Sequence, residues 1–530
     1  MSKPGPKHAA GRRPAQPAAP KAEVSQLARG GALNLTGAFV SSAVNILLVV
    51  TIARGVSQSQ AGRFFAATSV FLLVAMVGKL GANTGLVYFV ARLRALGRPD
   101  LIAARLRTAL ITVLAAATLL GLAVWVLAVP LAQVVVRGDS TQTVTYLRIM
   151  AVFVPAAALA DVTLAATRGY RKMRPTVMVD LLARPALQLV LTFAVLALDL
   201  PLGWLAVAWA APYLPETIVA LAWLRSVARR SRRPATSTSE AGFATSDFWR
   251  FTGPRAVTAV VHLALQRLDI ILVASLRGPA QAAIYTAATR FLVVGQLGAQ
   301  ALGTVAQPRL SELLAVRDLA GAKSVYQVAT GWVILITWPV YLLAIIFSTQ
   351  FLALFGSGYG GATDVIAVLA GAMLFATMCG MVDTVLNMAG RTTWTLANSV
   401  FSLVVMVGLD LVLIPRWGIL GAAVGWAASI VANNLLPLIQ IVASLRLHPF
   451  GPGARRGMLL AAASFGAIPL AVRLLGGDGT RWLVAATVTA TIVYIAGSYV
   501  MRRRLSIDSL RDLVRRRSVP PVIAPEEQPV

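Results

Sequence analysis

ILLVVTIARGVSQSQAGRFFAATSVFLLV, residues 46–74, is two apolar runs joined by a short polar hinge, and IILVASLRGPAQAAIYTAATRFLVV at 270–294 repeats it with a few positions deleted. A helix must supply about 20 apolar residues to cross a bilayer, because hydrocarbon offers the backbone N–H and C=O groups no partner outside the helix. Each copy therefore reads as the end of one membrane span, a turn, and the start of the next.

Working outward from these hairpins, similar runs occur at 31–53, 64–90, 108–132, 145–166, 175–197, 202–223, 251–276, 280–306, 325–348, 363–387, 393–414, 417–441, 457–475 and 481–500. The expectation is an all-α polytopic membrane protein of about fourteen spans. With the N-terminus in the cytoplasm, the inner segments, among them 92–107, 168–174, 225–233 and 502–517, hold most of the 48 Lys and Arg. This is the positive-inside asymmetry, which a missed or invented span would invert in every later loop. It predicts a bacterial-type cytoplasmic membrane protein with both termini inside.

Composition agrees. The 530 residues are 57% hydrophobic and 13% charged, against roughly 25% charged in soluble domains. A formal charge of +28 would point to nucleic acid in a soluble chain, but here the cations sit between apolar runs, so no nucleic-acid partner is expected. Residues 1–21 lack the apolar core of a signal peptide. The single cysteine, Cys379, excludes an intramolecular disulfide and a multi-cysteine metal site, and reads as packing.

The duplication extends beyond the hairpins. RPDLI at 98–102 matches RDLA at 317–320, DVTL at 161–164 matches DTVL at 383–386, and Leu202-Gly203 with WAA at 209–211 matches Leu420-Gly421 with WAA at 426–428. The offset stays at about 220 residues. Six spans per copy is an even number, so both copies enter the membrane in the same sense and form a parallel repeat about an axis along the membrane normal. The expected organisation is a disordered basic tail over 1–29, an N-lobe over 30–224, a flexible cytoplasmic linker over 225–249, a C-lobe over 250–447, two further spans over 448–503 and a cytoplasmic tail over 504–530.

Three stretches carry a family resemblance: GALNLT at 31–36 running on to Ala53 and Arg54; GANTGLV at 81–87 with FVAR at 89–92; and LIPRWGILGAA at 413–423. From Gly30 to about Leu447 the chain resembles an oligosaccharide flippase of the polysaccharide-export, O-antigen type, in the superfamily that also holds multidrug and toxin extruders and lipid II flippases. The resemblance implies two six-helix lobes around a central cavity and export of a polyprenyl-diphosphate-linked glycan by alternating access. It also implies a lipid-linked glycan and membrane lipids as partners, with a polysaccharide polymerase or glycosyltransferases as candidate partner enzymes. Many relatives stop at twelve spans. The extra pair is shared with lipid II flippases, which makes lipid II the runner-up substrate, although residues 33–52 lack the first-span arginines those flippases carry.

The ionisable residues noted within the spans are Lys79, Asp161, Asp180, Arg184, Glu216, Arg255, Arg267, Asp269, Arg290 and Asp383. At roughly 2.5–3.5 kcal/mol for a charge at mid-helix, exposing all of them to lipid exceeds any folding stability, so most must pair or face water. Asp180 and Arg184 are one turn apart and fit an intrahelical salt bridge. Arg255, His262, Gln266 and Asp269 share one face of the seventh span, as do Asn34, Ser41 and Asn45 on the first, and the duplication pairs these two spans. Both stripes are expected to line the cleft between lobes, the other reading being hydrogen bonds to neighbouring helices.

A diphosphate headgroup calls for cations, and guanidinium donors match phosphate oxygens. Lys79, Arg255, Arg267 and Arg290 are the headgroup candidates. Asp161, Asp269, Asp383 and His262 are candidates for coupling to protons or sodium, with helix–helix hydrogen bonding as the alternative for the equivalent pair Asp161 and Asp383. GSGYGG at 356–361 has the spacing of a dinucleotide fingerprint, but no strand precedes it and a membrane span follows, so it reads as a turn. No Walker A sequence occurs, and no cofactor or metal is expected. Arg309 to Lys323 reads as an interfacial helix. Short loops with few acids, mainly Asp139, Asp199 and Asp478 outside, argue against a membrane glycosyltransferase or polymerase. A multidrug extruder and a non-catalytic scaffold complete the alternatives.

Overall fold

The computed structural model describes residues 21–96, 98–230, 245–477 and 479–506, and these are helical apart from short turns. In chain order the helices are α1 (Lys21–Gly55), α2 (Gln58–Gly78), α3 (Ala82–Ala95), α4 (Pro99–Val126), α5 (Ala128–Val135), α6 (Thr141–Ala151), α7 (Val154–Gly169), α8 (Arg184–Ala197), α9 (Gly203–Ala210) and α10 (Tyr213–Arg230). They continue as α11 (Thr245–Arg277), α12 (Pro279–Ala315), α13 (Leu319–Ile346), α14 (Ser348–Ala353), α15 (Thr363–Cys379), α16 (Val382–Met388), α17 (Thr392–Trp417), α18 (Ile419–Leu445), α19 (Pro452–Ala461), α20 (Ile468–Gly476) and α21 (Thr480–Val500).

Each predicted span coincides with helix. Among the described residues twelve segments are long and apolar enough to cross a membrane, and the pair α6–α7, bent by 44°, makes a thirteenth. Of the fourteen runs expected from the sequence, the one not among these is in α12. At 37 residues it extends about 55 Å, but Arg290, Gln296 and Gln300 interrupt its apolar run. It tolerates them because α1, α2, α11, α13, α15 and α16 pack around it. The chain is an all-α multi-pass membrane protein.

Helix also reaches into stretches expected to be irregular. α1 starts at Lys21, α10 runs to Arg230 and α11 begins at Thr245; residues 1–20, 231–244, Asp478 and 507–530 lie outside the described residues. No separate interfacial helix forms over 309–323. Leu310 and Leu313 are buried in the last turns of α12, the chain turns at Val316–Asp318, and the Asp318 carboxylate accepts the Gly321 N–H at 2.8 Å to start α13.

Two π-helical stretches, Thr176–Ala183 leading into α8 and Ala462–Ala467 leading into α20, share a cause. Each is followed two residues past its end by a proline, Pro185 or Pro469. Proline has no N–H for the carbonyl four residues back and its ring collides with it, a conflict that a wider turn relieves. Glycine makes the other breaks. Between α2 and α3 the chain turns through Leu80 (φ 50°) and Gly81 (φ 72°), and α15 ends at Gly380 (φ 75°).

Helices α1–α10 pack into one bundle and α11–α18 into a second; α19–α21 lie against α13. Lipid is as apolar as a leucine side chain, so association depends on close packing and polar contacts rather than on the hydrophobic effect. The sealed surfaces are accordingly rich in alanine, including Ala61, Ala66, Ala67, Ala158, Ala165 and Ala166. An edge-to-face aromatic cluster of Phe64, Tyr146, Phe71 and Trp209 fills the first bundle.

The bundles meet through α1, α2 and α3 against α11 and α12. At the end away from the arginine clusters, a Cβ on Gly62 would overlap the Pro279 carbonyl, and Gln58 abuts Gly358. Two arginines tie the same end across the interface. Arg54 donates to the carbonyls of Leu354 (2.7 Å) and Ala353 (3.2 Å) at the end of α14. Arg137 donates through its guanidinium to Leu276 O (3.1 Å) and through its backbone N–H to Ala274 O (3.1 Å). Cations at helix C-termini meet both free carbonyls and the negative end of the dipole.

Gly62→Val should prevent this approach, at a cost of about 1–3 kcal/mol for overpacking. With cysteines placed at Gln58 and Gly358, cross-linking by a short bifunctional reagent should be efficient in the parent and strongly reduced in the valine variant.

Candidate functional site

The break between α2 and α3 determines where the first candidate cation points. Lys79 caps α2, and Gly81 is required next to it because a Cβ there would press on the Thr252 carbonyl and Ala256 of α11. From this corner Lys79 Nζ reaches Asp161 Oδ2 on α7 at 2.8 Å. Asn83 donates to the same oxygen at 3.5 Å, and Arg168 stands 3.8 Å from Oδ1.

Asn83 and Arg168 also line an open cavity of about 650 Å³ between α3, α7 and α11, with Thr84, Val87, Tyr88, Ala91, Arg92 and Phe251. It lies at the arginine-rich end of the bundles. One wall crosses the interface: the Arg92 guanidinium sits 5.9 Å from the Tyr88 ring, and Tyr88 stacks on Phe251 at 4.3 Å and 19°. Arg255 packs behind this lining, 3.7 Å from the Phe251 ring centroid, and donates to the Phe251 carbonyl at 2.8 Å. Lys79 is not in the lining either and meets the cavity through Asp161, whose other partners Asn83 and Arg168 belong to the wall. The cations that line the cavity are Arg92 and Arg168, at helix ends where an arginine also serves as a topology signal.

Deeper in the first bundle, Arg184 bonds Asp180 at 2.6 Å, the intrahelical bridge anticipated from their spacing, and also reaches Glu216 Oε2 at 3.1 Å. Its guanidinium lies 5.0 Å from the Tyr213 ring. Glu216 is 5% exposed, so this carboxylate depends on Arg184. Lys79, Arg168 and Arg184 match Asp161, Asp180 and Glu216 in charge.

A separate polar cluster occupies the second bundle. Asp269 on α11 is buried and accepts the Tyr285 hydroxyl at 2.8 Å and the Ile270 N–H at 2.8 Å. The charges of Arg267 and Arg290 act on it, and Arg290 is held within its own helix by the Thr286 carbonyl at 3.2 Å. Neither arginine lines the cavity described above. Asp410 on α17 is fully buried with both carboxylate oxygens lacking a hydrogen-bond partner, and its charge is felt by Tyr285 and Asp269. Gly425 makes room for it, since a Cβ there would overlap Asp410 Oδ1. The sequence signal was present, a lone acid in VGLDLVLIP, but Asp410 was not singled out.

The remaining candidates are dispersed. Asp383 is half-buried with Oδ1 unpartnered, unlike its equivalent Asp161. His262 is half-buried and Gln266 exposed. In α1, Asn34 is exposed, Ser41 is buried, and Asn45 donates to the Ser41 carbonyl at 2.8 Å. A side-chain amide bonded within its own helix needs no aqueous cleft, and none of these residues lines the cavity.

Residues 27–314 match the family described as polysaccharide biosynthesis protein, and 254–412 match the MatE family. The chain belongs to the polysaccharide biosynthesis protein family. It is 22% identical over 225 residues to the probable low-salt glycan biosynthesis flippase Agl15 of Haloferax volcanii, a match covering 42% of this chain and 46% of that relative, less than half its length. Among solved structures, a lipid II flippase MurJ in an inward closed conformation superposes with a TM-score of 0.67 at 15% identity, over 89% of this chain and 98% of that one. An inward-facing multidrug resistance MATE family transporter gives 0.63 at 14% identity, over 77% and 95%. A superfamily transporter from Pyrococcus furiosus gives 0.55 at 15%, over 83% and 96%. These likenesses establish the fold.

Arg184→Ala should strand the buried Glu216 carboxylate and destabilise the protein by about 3–5 kcal/mol, read as a large drop in thermal midpoint in detergent. Asp410→Asn, which removes no hydrogen bond, should leave the midpoint unchanged or higher while lowering transport in proteoliposomes.

Proposed function

We propose that the protein is a flippase that exports a polyprenyl-diphosphate-linked oligosaccharide across the cytoplasmic membrane by alternating access, with both termini cytoplasmic. The observation that carries this reading is the cavity between the bundles, lined by Arg92 and Arg168 beside the first turn of α3, with Lys79 behind it on Asp161 and Arg255 behind it on Phe251. A diphosphate brings about two negative charges and several acceptor oxygens, the complement of guanidinium forks, an ammonium and a helix N-terminus. A broken span whose second half starts at the cavity is the arrangement by which transporters present a positive helix end to an anionic group. Two bundles that touch firmly at the opposite end provide the pair of rigid bodies that alternating access needs.

Asp269, with Tyr285 and Asp410, is the candidate for coupling to a proton or cation, since buried ionisable groups in a membrane are retained for function. The membrane potential also contributes: carrying one negative charge outward across an inside-negative membrane gains about 2.3 kcal/mol per 100 mV, so a diphosphate gains about twice that. Lipid II is the second reading, favoured by the extra helices α19–α21 packed on α13. A cationic drug fits a cavity walled by arginines poorly.

In proteoliposomes, a fluorescent polyprenyl-diphosphate glycan should be moved in a protein-dependent way, and faster when a potassium diffusion potential makes the donor side negative. A lipid II analogue and a cationic dye run beside it decide the alternatives. Movement of lipid II alone would install the second reading, and movement of the dye alone would make the protein a multidrug extruder. Arg92→Gln together with Arg255→Gln should reduce flipping of the glycan lipid at least tenfold, and full activity in this folded double variant would remove the cavity wall from the binding site.

A further inference from the structure

We infer that Asp161 is a built-in stand-in for the substrate's phosphate, occupying Lys79, Asn83 and Arg168 in the empty protein and surrendering them when a diphosphate enters. The inference rests on reading the cavity as a diphosphate site. Three donors from three helices converge on this one carboxylate, and only the Lys79 contact, at 2.8 Å, has the length of a strong charge-assisted bond. Asn83 at 3.5 Å and Arg168 at 3.8 Å hold it loosely, and these two side chains belong to the cavity wall.

Accessibility separates this cluster from a structural ion pair. The side chain of Asp161 is 31% exposed and that of Arg168 is 28% exposed, whereas Glu216, the partner of Arg184, is 3% exposed. A ligand can therefore reach Asp161 and Arg168, with Lys79 (15% exposed) uncovered as the carboxylate moves aside, whereas the Glu216 carboxylate stays closed off. Without the carboxylate, Lys79 and Arg168 would repel each other across an empty site. With it they stay near the geometry an anion requires, and binding becomes an exchange of one anion for another. A diphosphate wins that exchange because it brings more charge and more acceptor oxygens than a carboxylate, and because Arg92 stands on the same wall as Arg168. Neutral or cationic lipids cannot displace Asp161 at all, so the stand-in also acts as a selectivity filter.

The test uses the full chain in detergent and geranyl diphosphate as probe, with geranyl monophosphate beside it. Asp161→Asn should tighten diphosphate binding about tenfold, with a smaller gain for the monophosphate, and adding Lys79→Gln should cancel the gain. Arg168→Gln, which leaves the Lys79–Asp161 pair intact, should weaken binding several-fold in the otherwise unmodified protein. If the parent protein binds the diphosphate and a folded Asp161→Asn binds it no more tightly, the stand-in role is wrong while the function stands. Unchanged affinity in Arg168→Gln overturns it equally. If neither the parent nor any variant binds the diphosphate, the function reading fails and this inference with it.

Discussion

A charge in hydrocarbon has no solvent to fall back on, so every ionised group in this protein must be answered by another protein group or by water admitted on purpose. The first bundle meets that requirement with three cations and three acids drawn from α2, α7, α8, α10 and the π-helical turn before α8. The network has two characters. Around Arg184 it is closed on the Glu216 side, where that carboxylate and the Tyr213 ring cover the guanidinium, with Asp180 at the outer edge. Around Asp161 it opens onto the cavity, where the same chemistry is available for exchange.

Backbone irregularity is what allows both arrangements. A continuous helix over 58–95 would carry Lys79 round with its neighbours, whereas the turn through Leu80 and Gly81 places it opposite Asp161 and starts a new helix beside the cavity. The glycine also brings the start of α3 against Thr252 and Ala256 of α11, so the break that shapes the site joins the two bundles as well. At the opposite end the joint is different in kind. Gly62 meets a carbonyl directly and two arginines grip helix ends, so this contact rests on close backbone approach and on polar bonds.

The spans were legible in the sequence because each apolar run had to be about one membrane thickness long, and the basic segments between them carried the alternation of sides. α12 shows the limit of that logic: a helix walled in by six others can hold Arg290 and two glutamines. Legibility at the site followed sequence distance. Asp180 and Arg184 could be paired from spacing alone, but Lys79 and Asp161 are brought together only by the packing of α2 on α7. Arg92 and Arg168 were hidden by their second identity as topology signals. On α1, Asn45 finds its acceptor one turn back at Ser41, a bond that sequence spacing cannot tell from a stripe facing water. Asp410 needed only a closer look at a single acid in an apolar run.

The π-helical turn at Thr176–Ala183 gives the bundle slack in chain length at a sensitive place. Its wider winding holds surplus backbone relative to an ordinary helix. Losing one residue there would let the segment relax into regular winding with Arg184 still near its present bearing, whereas the same loss within the regular helix α8 would swing every later side chain round by about 100°. The turn is thus a store of one residue of play beside the Arg184 network.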